Sequence, residues 1–229
     1  MITDALQAWV IHKYWSGDTS ARVVFFTREQ GLVNCLYKGG RTPKKQALLQ
    51  AFLPLWLSMD VRGNHHFVRQ LETAAPPIQL TGQTLFAGLY INELLHHALR
   101  PHDPHERLYN AYHHTLACLM QAPERFAMEA TLRRFEWTLL KTCGYHMSLT
   151  HEARSGKPIA PNHCYCFITG EGFILADKGI DGAHLIEMAA DHLEDIAVLN
   201  TAKRIMRRAI DHALDGKEIK TRLLYLHTA

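Results

Sequence analysis

The first 75 residues alternate short apolar runs with turn-forming residues, a pattern typical of β-strands. Strands are predicted at residues 6–13, 21–27, 31–38, 51–59 and 65–74, where β-branched and aromatic residues are frequent. Five strands with turn-rich connections in so short a stretch predict a small barrel or sandwich. The stiff Pro76-Pro77 pair follows, and it predicts a domain boundary.

From Thr81 onward the apolar positions recur at spacings of three and four residues, which predicts helices. Helices are predicted from 81 to just before Pro101, at 104–121, from about 123 to Gly144, at 183–194 and at 199–214, with a last helical turn after Lys217. Glycines and prolines interrupt residues 148–182, where two short strands are predicted, at 164–169 and 172–176. The pattern therefore predicts an α+β chain, with strands first and helices after them.

Composition places the chain among ordinary folded proteins. Of its 229 residues, 47% are hydrophobic and 21% are charged, which excludes a disordered or low-complexity chain. No run of 18 apolar residues is present, and the N-terminus shows no signal-peptide pattern. We therefore expect a cytoplasmic protein whose five cysteines are reduced.

The net charge of +3 hides an uneven distribution. Residues 1–80 carry nine Lys/Arg against five Asp/Glu, residues 81–199 carry nine against fourteen, and residues 200–229 carry seven against three. Two basic ends thus flank an acidic middle, which indicates an anionic partner for the ends. A normally solvated surface would account for the same counts, so both interpretations stay open.

The strongest candidate for phosphate binding is the segment from Lys38 to Lys45, which we call the basic segment. Its four cations are Lys38, Arg41, Lys44 and Lys45, and Gly39 and Gly40 would allow backbone to approach a phosphate closely. Tyr37, Phe26 and Trp56 are candidates for base stacking, although aromatic residues in strands belong more often to the core. The alternative is a flexible, solvated hairpin.

Two further clusters of cations lie on predicted helices. The first holds Lys203, Arg204, Arg207 and Arg208, where residues four apart share a face. The second is the Arg133-Arg134 pair, one member of which could border an apolar groove and bind the carboxylate of a peptide. Each cluster would also be compatible with a plain solvated helix face.

Metal and catalytic chemistry have little support. The 16 histidines form no HExxH motif, and Cys164-x-Cys166, with His163 beside it, is a poor zinc knuckle. No GxSxG, P-loop or GxGxxG motif is present. We expect no metal, no cofactor and no enzymatic activity. The alternatives that remain open are a His-rich metal-dependent hydrolase and a protein–protein adaptor that does not touch DNA.

Several stretches in combination resemble the RecO family of bacterial recombination mediators. They are the strand from Gly31 into Lys38-Gly39-Gly40-Arg41, Phe52–Leu55, Gly88-Leu89-Tyr90-Ile91-Asn92-Glu93-Leu94-Leu95, Leu132-Arg133-Arg134-Phe135-Glu136, Leu139-Leu140 with Gly144-Tyr145, Ala202-Lys203-Arg204 and Lys220-Thr221-Arg222. The resemblance covers about residues 5–226.

The resemblance implies an N-terminal OB-fold β-barrel at 1–77 and a mainly helical domain at 78–229. It also implies that the chain binds single- and double-stranded DNA and anneals complementary strands. Its partners would be the C-terminal tail of the single-stranded-DNA-binding protein and RecR, with which it would load RecA. We expect no membrane association, and a monomer when the chain is alone.

Residue by residue, the resemblance assigns Lys38 and Arg41 to phosphate contacts and Arg133 to the tail-binding groove. Arg134, Lys203 and Arg204 are carried over less firmly. Many RecO proteins hold a four-cysteine zinc module in the region that corresponds to 148–182, whereas this chain keeps only Cys164 and Cys166 there. It therefore resembles the zinc-free branch, with a degenerate module as a small insert.

Overall fold

The structure is a computed structural model that describes residues 5–122 and 124–224. The chain divides into two compact units. We call the first the barrel unit; its described part is 5–121 with 219–224. The second, the helical unit, covers the described residues from 122 to 218. The domain boundary predicted at Pro76-Pro77 stays a prediction.

The elements follow the order expected from the sequence. The strands are β1 (Leu6–Ser16), β2 (Ser20–Thr27), β3 (Gly31–Tyr37), β4 (Leu55–Arg62), β5 (His65–Thr73), β6 (Cys164–Ile168), β7 (Gly172–Ala176) and β8 (Ile180–Asp181). The helices are α1 (Pro43–Gln46), α2 (Gly82–Ala98), α3 (Glu106–Gln121), α4 (Arg125–Thr142), α5 (Gly182–Ala189), α6 (Ile196–Ala213) and α7 (Thr221–Leu224), and a 3₁₀ turn covers Ala47–Leu49.

The first five strands form a closed barrel in the order β1-β2-β3-β5-β4. The pairs are antiparallel except β3 with β5, and β1 closes the barrel through the pairing of Leu6–Ala8 with Leu55–Leu57. This is an OB-like barrel, so the fold class predicted from the strand pattern is confirmed. Strand β4 begins later than predicted because Pro54, which cannot donate a backbone hydrogen bond, precedes it.

Alternating side chains of the strands fill the barrel. Val23, Phe25, Val33 and Leu57 are all fully buried in this core. Cys35 is buried with them, its Sγ 3.1 Å from the sulfur of Met59, and burial raises the pKa of its thiol to about 12. This cysteine therefore packs as a small apolar residue.

Helices α2 and α3 cover one side of the barrel. Trp9 and Phe26, on the outer faces of β1 and β2, lie against the Tyr112 ring of α3 at centroid distances of 5.5 and 6.0 Å. The Tyr112 hydroxyl donates a 2.6 Å hydrogen bond to Asn92 Oδ1 of α2. Aromatic packing thus joins strands and helices within the barrel unit.

The start of β3 is fixed to the segment that follows α2. The His102 amide donates to the Leu32 carbonyl oxygen at 2.9 Å. Gly31 has φ +66°, and a Cβ atom added there would lie 2.1 Å from the backbone oxygen of Asp103. Only glycine fits this approach of two backbone segments.

The stretch Gly88–Leu95, which carries much of the family resemblance, has structural roles in the barrel unit. A Cβ atom at Gly88 would lie 2.7 Å from the Phe52 ring. The Glu93 carboxylate accepts hydrogen bonds from the Lys220 and Thr221 amides, both at 2.9 Å, and so holds the start of α7. Burial would raise the pKa of Glu93, but these bonds outweigh it and lower the pKa.

The helical unit is built on the packing of α4 against α6, with α5 also against α6. Strands β7-β6-β8 form a small antiparallel sheet in the predicted insert, residues 148–182. Asp195 precedes α6 and caps its N-terminus, because its carboxylate accepts hydrogen bonds from the Ala197 and Val198 amides. Helix α5 ends earlier than predicted, and Asp191 just beyond it adopts φ +61°. In the described part of the chain, no helix is long and apolar enough to cross a membrane.

Candidate nucleic-acid interface and peptide groove

The basic segment is an ordered turn that lies against the β1–β2 hairpin. Gly39 has φ +68°, and the Gly40 amide donates to the Tyr37 carbonyl oxygen at 3.1 Å. The Arg41 amide donates to the Thr19 carbonyl oxygen at 3.0 Å, which joins the turn to the hairpin. Residues 43–46 then form α1 instead of a loop, with Pro43 in its first turn. The alternative of a flexible hairpin does not match this bonding.

Gly40 lets this turn approach β2. A Cβ atom at residue 40 would lie 2.9 Å from the Tyr37 carbonyl oxygen and 3.1 Å from the Ala21 Cβ. The Gly40 amide is already bonded within the turn. Its role is therefore close backbone packing, and its amide does not offer a free donor to a phosphate.

Three of the four cations of the basic segment lie over aromatic rings of the barrel. Lys38 Nζ is 5.5 Å from the Phe67 centroid, Arg41 Cζ is 5.3 Å from that of Trp15, and Lys45 Nζ is 4.7 Å from that of Tyr37. Arg62, at the end of β4, adds a fourth cation 5.6 Å from Phe67. Such contacts hold a cation in place while leaving its charge available to a ligand.

Among the described residues, none of the cations Lys38, Arg41, Lys44, Lys45 and Arg62 has a carboxylate within 4.0 Å. We call these five residues the barrel cation cluster. Sequence reasoning missed Arg62, because its ring partner Phe67 lies on the next strand, β5. Only the pairing of β3 with β5 brings Lys38 to the same ring, so that Phe67 lies between the two cations. An arginine in the turn predicted between two strands was the one signal available.

The three aromatic candidates for stacking differ in position. Phe26 and Tyr37 are buried, as the more common interpretation of strand aromatics expects. Trp56 is 39% exposed, but it pairs with Gln7 and Glu72 at the end of β4 away from Arg62. None of the three offers an open ring within the barrel cation cluster.

The cations of α6 form an exposed ridge in the helical unit, at Lys203, Arg204, Arg207 and Arg208. Lys203 Nζ donates to Glu129 Oε1 at 3.0 Å, so its charge is already compensated. Arg208 lies 5.5 Å from the Phe167 centroid, and with Arg204 it lines a cavity of about 190 Å³ beside β6.

A larger cavity of about 560 Å³ opens in the same unit between α4, α5, α6 and residues 146–150. Met147, Leu149, Leu193 and Met206 are among its apolar lining residues, and Trp137, Arg133 and Arg134 of α4 also line it. A cavity with apolar walls and an arginine at its edge suits a short peptide with a hydrophobic side chain and a carboxylate. We call it the α4 groove.

The neighbouring arginines Arg133 and Arg134 of α4 differ sharply. Arg133 is buried, and its guanidinium donates to Glu136 Oε1 at 2.7 Å. Arg134 is 44% exposed at the side chain, and its Nε donates to both carboxylate oxygens of Asp191, at 2.8 and 2.9 Å. Arg134 is therefore the more accessible of the two for an incoming carboxylate.

The cysteines of the insert do not form a metal site with their neighbours. Cys164 and Cys166, two residues apart on β6, lie on the face opposite to the buried Tyr165 and Phe167, and Cys164 Sγ contacts Asp181 Oδ1 at 3.7 Å. Within residues 5–122 and 124–224, no three His, Cys, Asp or Glu side chains are grouped to hold a metal ion. The hydrolase alternative lacks, in this part of the chain, the converging ligands it requires.

The fold and these surfaces define a protein that joins an OB-like barrel with a cationic surface to a helical unit with a peptide-sized groove. The family model described as recombination protein O N terminal matches residues 1–77, and the one described as recombination protein O C terminal matches residues 79–219. The chain therefore belongs to the RecO family of DNA repair proteins, as the resemblance indicated.

Individual relatives agree over nearly the full length. A DNA repair protein RecO from Legionella pneumophila strain Paris is 57% identical over 226 residues, which cover 98% of this chain and 99% of the relative. Those from Nitrosospira multiformis and Methylococcus capsulatus are each 34% identical, covering 96% and 95% of this chain and 94% and 91% of their own lengths.

Proposed function

We propose that this protein is a recombination mediator in DNA repair that works by binding, without covalent catalysis. It would bind single- and double-stranded DNA, anneal complementary strands, dock the C-terminal tail of the single-stranded-DNA-binding protein and act with RecR to load RecA. Action on chromosomal DNA would place it at the nucleoid, in the cytoplasm. The observation that carries the proposal is the barrel cation cluster, whose charges have no carboxylate partner in the described chain.

Phosphates would bind where cations are exposed and uncompensated. Each Lys or Arg that contacts a phosphate releases condensed counterions, which favours binding at low salt. Two strands bound to one cationic surface repel each other less than they do in solution, so complementary sequences would pair more readily. Arg204, Arg207 and Arg208 of α6 are the candidates for a second contact, with Lys203 restrained by Glu129.

The tail would dock in the α4 groove, with its terminal carboxylate at Arg134 and a hydrophobic side chain among the apolar lining residues. Docking would raise the local concentration of the protein at DNA already covered by its partner, so that weak direct DNA contacts suffice. Arg133, the residue favoured by the family resemblance, would act indirectly, because its ion pair with Glu136 stabilises α4.

The decisive experiment is a salt titration of DNA binding with the Lys38→Ala/Arg41→Ala double variant. Fluorescence anisotropy of a labelled single strand should show weaker binding, and the log–log salt slope should fall by about 0.7 for each phosphate that the variant no longer binds. The Lys157→Ala/Lys178→Ala variant removes the same charge from exposed positions in the helical unit and serves as the control. An unchanged slope in the first variant would exclude the basic segment as a phosphate site, and no DNA binding by the unmodified protein at low salt would favour the adaptor alternative.

A further inference from the structure

We propose that Trp15, near the tip of the β1–β2 hairpin, stacks on unpaired bases and gives the barrel a preference for single-stranded over duplex DNA. This inference rests on the proposed DNA binding and specifies which strand form the barrel selects. Trp15 is 45% exposed, although it is a large apolar residue that would ordinarily be mostly buried. It was absent from the sequence-based candidates for stacking.

The first argument is its position beside a phosphate-binding candidate. The Arg41 guanidinium lies over the Trp15 ring, 5.3 Å from its centroid, and donates to the Gly17 carbonyl oxygen at 3.1 Å. The Arg41 backbone amide is also bonded to Thr19 of the same hairpin. An aromatic surface and a cation are thus held together at a fixed spacing, as needed to bind the base and the phosphate of one nucleotide.

The second argument is charge complementarity. Lys38, Lys45 and Arg62 lie on the same barrel surface, and they and Arg41 have no carboxylate within 4.0 Å among the described residues. Asp18, exposed in the hairpin turn, and Asp60, which lies opposite Phe67 on β4, are acidic residues near this surface. A polyanion with accessible ring faces fits such a surface, whereas an acidic peptide offers charge without stacking bases.

The third argument is the difference between the two DNA forms. In a duplex the faces of each base are covered by its neighbours, so an indole ring cannot reach them without unstacking. In a single strand the bases can splay outward and stack on an aromatic side chain. Arg41 would contact phosphates of either form, whereas Trp15 would contribute only to the single strand.

The adjacent Tyr14, 44% exposed, is not part of this unit. Successive residues of a strand point to opposite faces, and the Tyr14 ring neighbours His12, at 6.2 Å, on the face away from Arg41. It therefore gives a local comparison for the effect of removing an exposed aromatic residue from the same hairpin.

The test compares three labelled ligands of equal length: oligothymidylate, an abasic single strand and a duplex. Trp15→Ala should weaken binding of oligothymidylate by roughly tenfold, within the range measured for single base–aromatic stacks. Binding of the abasic strand and the duplex should be unchanged, and the salt slope should stay that of the unmodified protein, because every cation that binds phosphate remains in place. Trp15→Phe should recover part of the affinity, and Trp15→Leu should not.

Trp56→Ala is the matched control, since it removes an equally exposed tryptophan from the opposite end of the barrel strands, next to Glu72. The stacking role would be overturned if Trp15→Ala weakened binding of all three ligands equally. It would also be overturned if Trp15→Phe bound oligothymidylate no better than Trp15→Leu. If the unmodified protein binds no DNA even at low salt, the proposed function itself fails. A steep salt slope with no effect of Trp15→Ala refutes this inference alone.

Discussion

Two neighbouring arginines in one helix take different roles because successive residues of an α-helix are turned by about 100°. Arg133 points into the packed side of α4 and binds Glu136, whereas Arg134 reaches the edge of the α4 groove and binds Asp191. The Asp191 carboxylate binds the Arg134 guanidinium in the way that the terminal carboxylate of a peptide would. A docking tail would therefore have to displace Asp191, whose backbone is already in the unfavourable left-handed region.

Asp191→Asn should strengthen binding of an acidic tail peptide, and Arg134→Ala should weaken it by about tenfold, the effect of one charge-assisted hydrogen bond. Asparagine tolerates the positive φ of residue 191, so the first variant keeps its backbone. The measurement is anisotropy of a labelled peptide with a free terminal carboxylate, alongside its amidated form.

Arg125→Ala, in the first turn of α4 and away from the groove lining, is the control for removal of one positive charge. If amidation does not weaken binding to the unmodified protein, the carboxylate contact is wrong. Arg133→Ala is a poor substitute for Arg134→Ala. It would remove the buried guanidinium that pairs with Glu136, and so would disturb the packing of α4 as well as the groove.

At the scale of elements, an ion pair with α4 limits how freely one of the four exposed cations of α6, Lys203, can bind a phosphate. Glu129 of α4 is largely buried, and it accepts from Lys203 at 3.0 Å and from Arg125 at 3.2 Å. Burial would raise the pKa of Glu129, but the Lys203 and Arg125 contacts outweigh it and lower the pKa, so the carboxylate stays ionised at neutral pH. Lys203 is thereby a weaker candidate for a DNA contact than its position on the ridge suggests.

Glu129→Gln should release Lys203 and raise DNA affinity, with a salt slope steeper by about 0.7 if Lys203 then binds a phosphate of a single strand. A salt titration by anisotropy measures both quantities. Glu194→Gln, at an exposed position of the same unit, makes the same change in net charge and is the control. Equal increases in affinity for the two variants would attribute the effect to net charge and remove Lys203 from the interface.

At the scale of the molecule, the high histidine content links stability to pH. His66 of β5 lies 4.8 Å from the His102 ring, and its pKa is lowered by burial and by the neighbouring His102 and His65. The unfolded chain therefore binds a proton near pH 6.5 that the folded protein does not, so the free energy of unfolding falls as pH decreases through that value.

His66→Gln should flatten this pH dependence of stability, which urea unfolding at pH 7.5 and at pH 5.5 would measure. His114→Gln, at an exposed position of α3 in the same unit, controls for removal of one histidine. An identical pH dependence in the unmodified protein and His66→Gln would show that His66 does not couple protonation to folding.

Much of this architecture was predictable because strands and helices impose different periods on apolar residues. The five N-terminal strands, the helical second half and the two strands at 164–176 follow from such local patterns. Contacts between strands do not: Lys38 meets Phe67 only when β3 pairs with β5, and Arg41 meets Trp15 only when the turn after β3 packs on the β1–β2 hairpin. Likewise, helical spacing places Arg133 and Arg134 on different sides of α4 but does not say which side is buried.

Gly31 shows how a repair defect can arise far from any DNA-facing atom. The space between its Cα and the Asp103 carbonyl admits no side chain. An allele with any other residue at this position would resemble a DNA-binding mutant in a cell-survival assay, while its primary fault would be a shortage of folded protein. Genetic maps of this family therefore need a measure of protein abundance before a sensitive position is assigned to the nucleic-acid interface.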